Sequence, residues 1–569
     1  MAQVPPVFSK SDHSHLRKDE MVRQYVYQTR IVWQSHTHSG YIRDAENLLI
    51  PGTGQAELPK RNLCILQSDA TEKPGLVLDF GKELQGGIKF VTSMSPSHMP
   101  VRVRVRLGES VSESMSEIDT LAGATNDHAT RDFIAELPWL GALEIGNSGF
   151  RFVRIDLVDA NTTLLLKEVS AIFGYRDIPY KGSFSSSDTL LDKIWLTGAY
   201  TVHLNMQDYL WDGIKRDRLV WVGDMYPEVM TINSVFGYNE VVPKSLDLAR
   251  DQAPLPSWMN GISAYSMWWV IIHHEWYYYH GNLKYLQQQK TYLSKLLDLL
   301  ITKIDANGRE KLDGMRFLDW PSSENKKGVD AGLQALMIIA LEKGGELSTI
   351  LNDDATAAKC NLAIARLKKN VPDPNQSKQA ASLMALAKMW PAAQADKEII
   401  SVGGVKDFST FYGYFMLQAK AKAGNYGEAI NNIKTFWGGM LKLGATTFWE
   451  DFNMEWLENA APIDEPVPEG KKHIHGDCGA YCYKSFRHSL CHGWASGPTA
   501  WLTENVLGVS VAEPGCKTLR IIPHLGNLRW VEGHFPTAYG VVHIRHDTDK
   551  QGKITSKITG PKEVKVLRN

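Results

Sequence analysis

The hydrophobic periodicity of the chain changes twice, and these two changes limit the folds open to it. Residues from about 20 to 178 alternate apolar and polar side chains, most clearly over 101–107, which read VRVRVRL. A period of two places the apolar groups on one face of a sheet. Several such stretches, separated by Gly, Pro, Ser and Asn, are typical of a β-sandwich. We therefore predict an N-terminal antiparallel β-sandwich domain over residues 1–180.

The middle of the chain has a helical period. Apolar side chains recur at spacings of three and four, as in Leu293, Leu296, Leu297 and Leu300. The same pattern marks residues 330–344, 358–369, 379–390, 411–423 and 426–442. Many helices without a strict short repeat favour a closed helical toroid over a regular solenoid. We predict a helical domain over residues 181–510, whose first helix has Asp188 as its N-cap.

The last part of the chain returns to short strands, over 518–523 and 540–545. We predict a C-terminal β-sandwich domain over residues 511–569, completed by strands from elsewhere in the chain. Its small size favours a packing role against the helical domain.

Charge and hydropathy exclude two classes of partner. The 569 residues include 62 Lys and Arg and 63 Asp and Glu, so the net charge is −1. This balance argues against nucleic acid as the main partner. No apolar run reaches the roughly 18 residues of a membrane-spanning helix. A monomer and a homodimer both remain open. The N-terminus has no charged-then-apolar leader, so the protein is cytoplasmic or has lost a signal peptide, and we favour the second, periplasmic or secreted, alternative.

The six cysteines are too few for a disulfide scaffold in a chain of this length. Cys478 and Cys482 are close enough in sequence for a local bridge. A second Cys/His pair at zinc-ligand spacing is not evident. We interpret most of the cysteines as buried free thiols.

Residues 211–224 carry the densest group of reactive side chains. They contain three carboxylates (Asp212, Asp217 and Asp224), three basic groups and two Trp. Such neighbours shift carboxyl pKa values in either direction, as acid catalysis requires. The alternative is a loop of ion pairs at a helix end.

Two further segments contain candidate functional groups. Residues 444–452 place Glu450 among aromatic side chains, which suits sugar binding, although a partly exposed Glu at a helix start gives the same pattern. Residues 488–494 place His492 near Trp494, and a hydrogen-bonded core histidine is the alternative there. Two carboxylates that converge in an aromatic pocket are what glycoside hydrolysis uses.

Three segments together resemble the bacterial α-L-rhamnosidases of glycoside hydrolase family 78. They are residues 212–224 (DGIKRDRLVWVGD), 444–450 (GATTFWE) and 489–498 (SLCHGWASGP), and the similarity extends to 149–155 and 519–528. The resemblance implies a multidomain α + β protein: a six-hairpin (α/α)6 barrel flanked by N-terminal and C-terminal antiparallel β-sandwiches. It also implies an inverting mechanism that needs no cofactor or metal.

The resemblance also implies roles for individual residues. It makes Asp217 the general acid and Glu450 the general base. Many family members have Arg-Asp-Glu-Arg where this chain has the shorter Arg216-Asp217-Arg218, which resembles a branch with Asp as the acid. Asp212 and Asp224 match carboxylates that hold sugar hydroxyls. The other pocket candidates are Arg216, Trp221, Asp319, Trp320, Trp449 and His492.

The implied function is an inverting exo-α-L-rhamnosidase. Its substrate would be terminal L-rhamnose on an oligosaccharide, a polysaccharide or a plant glycoside. One alternative is another inverting exo-glycosidase on the same scaffold, since a fold does not fix a substrate. The other is a carbohydrate-binding protein that has lost catalysis, against which the presence of both carboxylates argues.

Overall fold

The N-terminal part of the computed structural model is a sheet of nine antiparallel strands. The structure describes residues 20–35, 40–118, 125–479 and 485–568. The strands are β1 (Met21–Val26), β2 (Arg30–Gln34), β3 (Ile42–Arg43), β4 (Cys64–Gln67), β5 (Gly75–Thr92), β6 (Val101–Gly108), β7 (Asp132–Leu137), β8 (Gly141–Leu157) and β9 (Thr163–Arg176). They pair in the order β3-β4-β9-β5-β8-β6-β7, with β1 on β9 and β2 on β5. The predicted antiparallel β-structure is therefore confirmed.

Strand β6 shows how the alternation builds this sheet and where it fails. Val101, Val103 and Val105 are buried and Arg102 is exposed, as a period of two predicts. Arg106 is buried as well, because its guanidinium lies 2.8 Å from Asp156 Oδ2. A basic side chain on the strand face opposite the valines can therefore be buried when a carboxylate meets it.

The chain after β6 turns sharply towards the helical region. It forms the short helix α1 (Val111–Met115), and the Ser110 side chain caps this helix by accepting from Glu113 N. Gly108 permits the turn, because a Cβ there would lie 2.6 Å from Ser114 N. The turn carries Glu109 and Glu113 into the contact with the helical region, where Val111 N donates to Ile463 O.

The helical region confirms the change of period. Its helices are α2 (Thr189–Asn205), α3 (Met225–Val235), α4 (Val241–Gln252), α5 (Ser263–His280), α6 (Leu283–Thr302), α7 (Lys326–Ile350), α8 (Asp354–Leu367), α9 (Lys378–Leu386), α10 (Ala392–Ala395), α11 (Gly413–Lys422), α12 (Tyr426–Lys442), α13 (Ile474–Asp477) and α14 (Gly497–Trp501). The predicted apolar face of α6, with Leu293 and Leu296, is buried. Asp188 caps α2 as predicted, since its side chain accepts from Leu190 N.

Two small sheets end the described chain. One contains β10 (Ser183–Ser186), β13 (Trp530–Thr537), β14 (Gly540–Thr548) and β15 (Ile554–Thr559), all antiparallel. The other contains β11 (Val509–Glu513), β12 (Thr518–Ile521) and β16 (Lys565–Leu567), with β12 and β16 parallel. Strand β10 precedes the helices in sequence, so an earlier part of the chain completes the C-terminal sheet.

The hydrophobic cores follow this layout. The N-terminal sheet has a core of its own, whereas the helices and the C-terminal sheets share one. The predicted domain bounds stay a prediction. Within the described ranges, none of the helices is both long and apolar enough to cross a membrane. Cys64, Cys360, Cys478, Cys491 and Cys516 are buried free thiols. Cys482, the predicted partner of Cys478, lies outside the described residues.

Candidate active site

One cleft in the helical region gathers residues from all three sequence motifs. Seven of the ten predicted site residues line it: Asp212, Asp217, Trp221, Asp224, Trp320, Glu450 and His492. Its cavity volume is about 120 Å³. Segments distant in sequence therefore form one small carboxylate-rich and aromatic pocket.

Backbone pairing holds the first motif against the third. Asp212 N donates to Leu219 O, and Asp212 Oδ1 accepts from Leu219 N at 2.9 Å, so this part of the motif is a closed loop. Gly213 pairs with His492 as an isolated β-bridge. Only glycine fits at 213, because a Cβ would lie 2.9 Å from Arg216 O and 3.0 Å from Cys491 O. The loop thus holds the Asp212 and Asp217 carboxylates next to His492 in the cleft.

Asp217 lies among cationic groups. Arg216 Nη2 is 2.7 Å from Asp217 Oδ1, His128 Nε2 is 3.3 Å from the same oxygen, and Trp221 Nε1 donates to Oδ2 at 3.1 Å. Burial raises the pKa of Asp217, but Arg216, His128 and His492 outweigh burial and hold the pKa below its usual value. Asp217 is therefore ionised at neutral pH.

Asp224 and His492 form a buried pair. Tyr265 Oη donates to Asp224 Oδ1 at 2.7 Å, and His492 Nε2 lies 3.0 Å from Asp224 Oδ2. Burial alone would lower the pKa of His492, but Glu450 and Asp224 raise it to about 9. His492 is therefore an imidazolium at neutral pH. Burial also raises the pKa of Asp212 well above its usual value.

Glu450 is held by the backbone of the third motif. Its amide donates to Ser489 O at 3.0 Å, and its Oε2 accepts from Ser489 N at 3.3 Å. Trp494 Nε1 donates to Glu450 O at 2.7 Å. Burial raises the pKa of Glu450, although His492 and Arg216 oppose this. The side chain is thus fixed in place and takes a proton more readily than an exposed glutamate.

Three predicted pocket residues lie outside the cleft wall. Arg216 is not among the residues that line the cleft, and its guanidinium binds the Asp217 carboxylate. Asp319 is buried beneath the wall, where Ser322 N and the Gln379 amide group donate to its carboxylate. Trp449 is fully buried and packs against Phe452. Because neither side chain lines the cleft, we do not propose direct sugar contact for Asp319 or Trp449.

Sequence reasoning missed six residues of the site. Five of them line the cleft: Ile262, Tyr265, Met315, Phe317 and Trp494. Trp494 belongs to the third motif and Met315 and Phe317 precede Asp319, so closeness to a motif was the available signal for these three. His128 comes from the segment before β7 in the N-terminal sheet, and nothing local in the sequence connects it with Asp217.

One group of side chains offers metal-ligand atoms in the described part of the chain. It consists of Glu109, Glu113 and His475, all buried. Lys215 Nζ lies 2.9 Å from Glu109 Oε2 and 3.3 Å from Glu113 Oε1. An ammonium already supplies the positive charge between the two carboxylates, so these residues fit a metal ion poorly.

Comparison with known proteins begins with the helical region. Residues 179–374 match the family model described as the bacterial alpha-L-rhamnosidase 6 hairpin glycosidase domain. Curated protein sequences give no significant match.

Solved structures share the fold over most of the chain. The GH78 family rhamnosidase of Bacillus sp. GL1 has a TM-score of 0.73 and 22% identity over 93% of this chain and 55% of that chain. A rhamnosidase from Klebsiella oxytoca with rhamnose bound has a TM-score of 0.66 and 21% identity over 85% of this chain and 96% of that chain. The α-L-rhamnosidase from Aspergillus terreus has a TM-score of 0.70 and 19% identity over 92% of this chain and 61% of that chain. This chain thus spans little more than half of the Bacillus structure.

Proposed function

We propose that the protein, whose residues 179–374 carry a bacterial α-L-rhamnosidase six-hairpin glycosidase domain, is an inverting exo-α-L-rhamnosidase. Its helices would then form an (α/α)6 barrel. The observation that carries the proposal is the convergence of Asp217 and Glu450, far apart in sequence, on one aromatic cleft. Two carboxylates across a sugar are the minimal apparatus of glycoside hydrolysis.

The proposed reaction is a single displacement at the anomeric carbon. Glu450 removes a proton from a water molecule while the oxygen of that water bonds to the anomeric carbon. The bond from the carbon to the glycosidic oxygen breaks, and Asp217 gives its proton to the departing oxygen. Inverting enzymes separate the two carboxyl groups by about 6.5–9.5 Å to leave room for the water.

The pKa shifts of the two carboxyl groups set a requirement on this reaction. A donor must hold a proton and a base must lack one, yet the pKa of Asp217 is lowered and that of Glu450 is raised. Asp217 keeps 13% of its side-chain surface exposed and contacts His128. The proposal therefore requires that a bound glycoside raises the pKa of Asp217, by excluding water and by weakening the contact with His128.

The other cleft residues fit a single 6-deoxy sugar. Asp212 and Asp224 would accept from hydroxyl groups, and Trp221 and Trp320 offer rings on which a pyranose can stack. Ile262, Met315 and Phe317 form an apolar wall suited to a methyl group in the position where most hexoses carry a hydroxymethyl. A cavity of about 120 Å³ takes one sugar ring rather than several, which supports exo action on rhamnose-containing oligosaccharides, polysaccharides or plant glycosides.

An activity screen with product stereochemistry tests the proposal. The substrates are aryl glycosides of α-L-rhamnose, α-L-fucose, β-D-glucose and β-D-glucuronic acid. We expect hydrolysis of the rhamnoside alone, with β-L-rhamnose as the first product by ¹H NMR. Preferred cleavage of another glycoside would show that rhamnose is not the substrate. Release of α-L-rhamnose as the first product would show a retaining mechanism instead of an inverting one. Sugar binding without turnover would support the carbohydrate-binding alternative.

A further inference from the structure

A buried charged cluster joins the N-terminal sheet to the first catalytic motif. Glu109 and Glu113 follow β6, and both are fully buried. Lys215 Nζ lies between them, 2.9 Å from Glu109 Oε2 and 3.3 Å from Glu113 Oε1. Lys215 is two residues before Asp217, so the sheet holds the acid-bearing loop through this ammonium group.

The same ammonium group also holds the chain that leads to the third motif. Lys215 Nζ donates to Phe486 O at 2.9 Å and to His488 O at 2.8 Å. Next along the chain, Ser489 makes two hydrogen bonds with Glu450. Its carbonyl oxygen accepts from Glu450 N, and its amide donates to the Glu450 carboxylate. Lys215 is thus linked by few bonds to both catalytic carboxylates.

Glu109 makes a second, independent contact with this segment. Its Oε2 accepts from Leu490 N at 2.8 Å, immediately after Ser489. One carboxylate oxygen therefore binds both Lys215, on the Asp217 side, and Leu490, on the Glu450 side.

Stability alone explains this cluster poorly. Glu109 Oε1 and Glu113 Oε1 are buried without a hydrogen-bond partner. Burying ionic groups costs several kcal/mol per ion, which their attraction repays only when the geometry is very good, so apolar replacements are often neutral or stabilising. The cost of burying these charges is understandable if the cluster fixes the separation of Asp217 and Glu450.

On the basis of the proposed function, we propose that Glu109 is a positioning residue that sets the separation of Asp217 and Glu450 through Lys215 and the backbone of residues 486–490. The N-terminal sheet is then part of the catalytic apparatus. A displacement of about 1 Å in such a pair can cost on the order of a hundredfold in rate.

The test compares Glu109→Gln with a matched control, Glu83→Gln. Glu83 is buried as well, and burial together with Glu109 and Glu113 raises its pKa well above the usual value, so an amide should replace it with little effect. For Glu109→Gln we expect kcat to fall by about 10- to 100-fold with KM within about threefold. The loss should be equal on activated and unactivated rhamnosides, since both carboxylates move. Glu83→Gln should keep kcat within about threefold.

Two outcomes would overturn the proposal. One is a wild-type kcat in folded Glu109→Gln. The other is an equal loss in both variants that follows the folded fraction measured by circular dichroism. If Glu109→Gln does not fold, Glu109→Asp keeps the carboxyl group but shortens its reach, and the same fall in kcat at unchanged KM is expected from it.

Hydrogen–deuterium exchange separates this proposal from the proposed function. Glu109→Gln should speed exchange in peptides that cover 212–224 and 486–492, and Glu83→Gln should not. This readout needs no turnover. An inactive wild-type enzyme with this exchange pattern would refute the rhamnosidase proposal and keep the linkage, whereas activity with unchanged exchange would refute the linkage.

Discussion

The two ends of helix α5 differ in how their buried charges are balanced. Tyr265 near its start lines the active-site cleft, and Glu275 near its end lines a second cavity of about 390 Å³. The second cavity is larger and also aromatic, with Trp268 and Phe415 in its wall. Size and aromatic content therefore do not distinguish the cleft from the second cavity.

The charges do distinguish them. At the second cavity, Lys343 Nζ lies 3.2 Å from Glu275, and His274 lies 3.2 Å from Glu275 and 2.7 Å from Glu346. Burial would raise the pKa of Glu275, but Lys343 and His274 lower it to about 2. In the cleft, burial prevails at Glu450 and its pKa is raised. Cations therefore outweigh burial at Glu275, whereas burial outweighs the cations at Glu450.

Replacement of Glu450 gives the largest contrast between the two ends. Glu450→Gln should lower kcat by about 10²- to 10⁴-fold, the range for loss of a general acid or base, with folding nearly intact. Glu275→Gln should keep kcat, because its carboxylate only balances Lys343 and His274. Steady-state kinetics on an aryl α-L-rhamnoside measure both. Full activity in a pure Glu450→Gln preparation would remove Glu450 from the mechanism.

Replacement of Asp217 should depend on the leaving group. An acidic phenol departs without a proton, so Asp217→Asn should strongly slow natural glycosides and spare activated aryl rhamnosides. Asp212→Asn and Asp224→Asn should harm both substrates alike, since bonds to sugar hydroxyls strengthen in the transition state. kcat/KM for the three variants on both substrates decides this. If Glu450→Gln instead showed the leaving-group dependence, the roles of acid and base would be exchanged, which is the assignment that a lowered pKa at Asp217 and a raised pKa at Glu450 favour.

The pH dependence of stability should have opposite signs at the two ends. The pKa of His492 is raised to about 9, so its contribution is complete below about pH 6.5 and is lost as the pH rises through 9, by about 3 kcal/mol. The pKa of Glu275 is lowered, so its contribution is complete above about pH 4.5 and is lost as the pH falls towards 2.

Urea unfolding across pH measures these two slopes separately. His492→Gln should flatten the alkaline slope of the free energy of unfolding and leave the acid slope unchanged. Glu275→Gln should do the reverse. Unchanged slopes in both variants would contradict the charge balance described for the two ends.

The smallest expected effect compares two tyrosines. Tyr265→Phe removes the donor to Asp224 and should lower kcat/KM about tenfold, since a hydrogen bond to a charged group contributes about 1.5–3 kcal/mol. Tyr414→Phe removes the donor to Glu504 at the second cavity and should leave kcat/KM unchanged. Similar losses of activity would show that the two ends are not functionally distinct.

The sequence predicted what local patterns determine. Periods of two and 3.6 residues located the strands and helices because burial of one face is a local property of each element. Asp217, Glu450 and His492 were found because each lies in a short motif of reactive residues. Trp449 lies next to Glu450 in sequence but is buried away from the cleft wall, because adjacent residues in a loop need not point to the same side.

Long-range contacts were beyond such patterns. His128 meets Asp217 from another part of the chain, and Lys215 reads as one more basic residue of a charged loop until Glu109 and Glu113 are placed beside it. Arg106 likewise has the pattern of an exposed side chain but is buried against Asp156. Each of these contacts depends on which elements of the fold pack against each other. Periodicity carries no information about that packing.

Strand β10 has a consequence for the order of events during synthesis. Residues 183–186 pair with β13, at residues 530–537, so an early strand meets its neighbour only after the whole helical region has been made. Until then the edge of β10 exposes unpaired backbone groups, of the kind that recruit other chains. A ribosome that stalls before residue 530 would release helices able to pack among themselves but with this edge open. We expect such truncated products to aggregate or to need a chaperone, whereas a chain that includes β13 pairs this side of β10 itself.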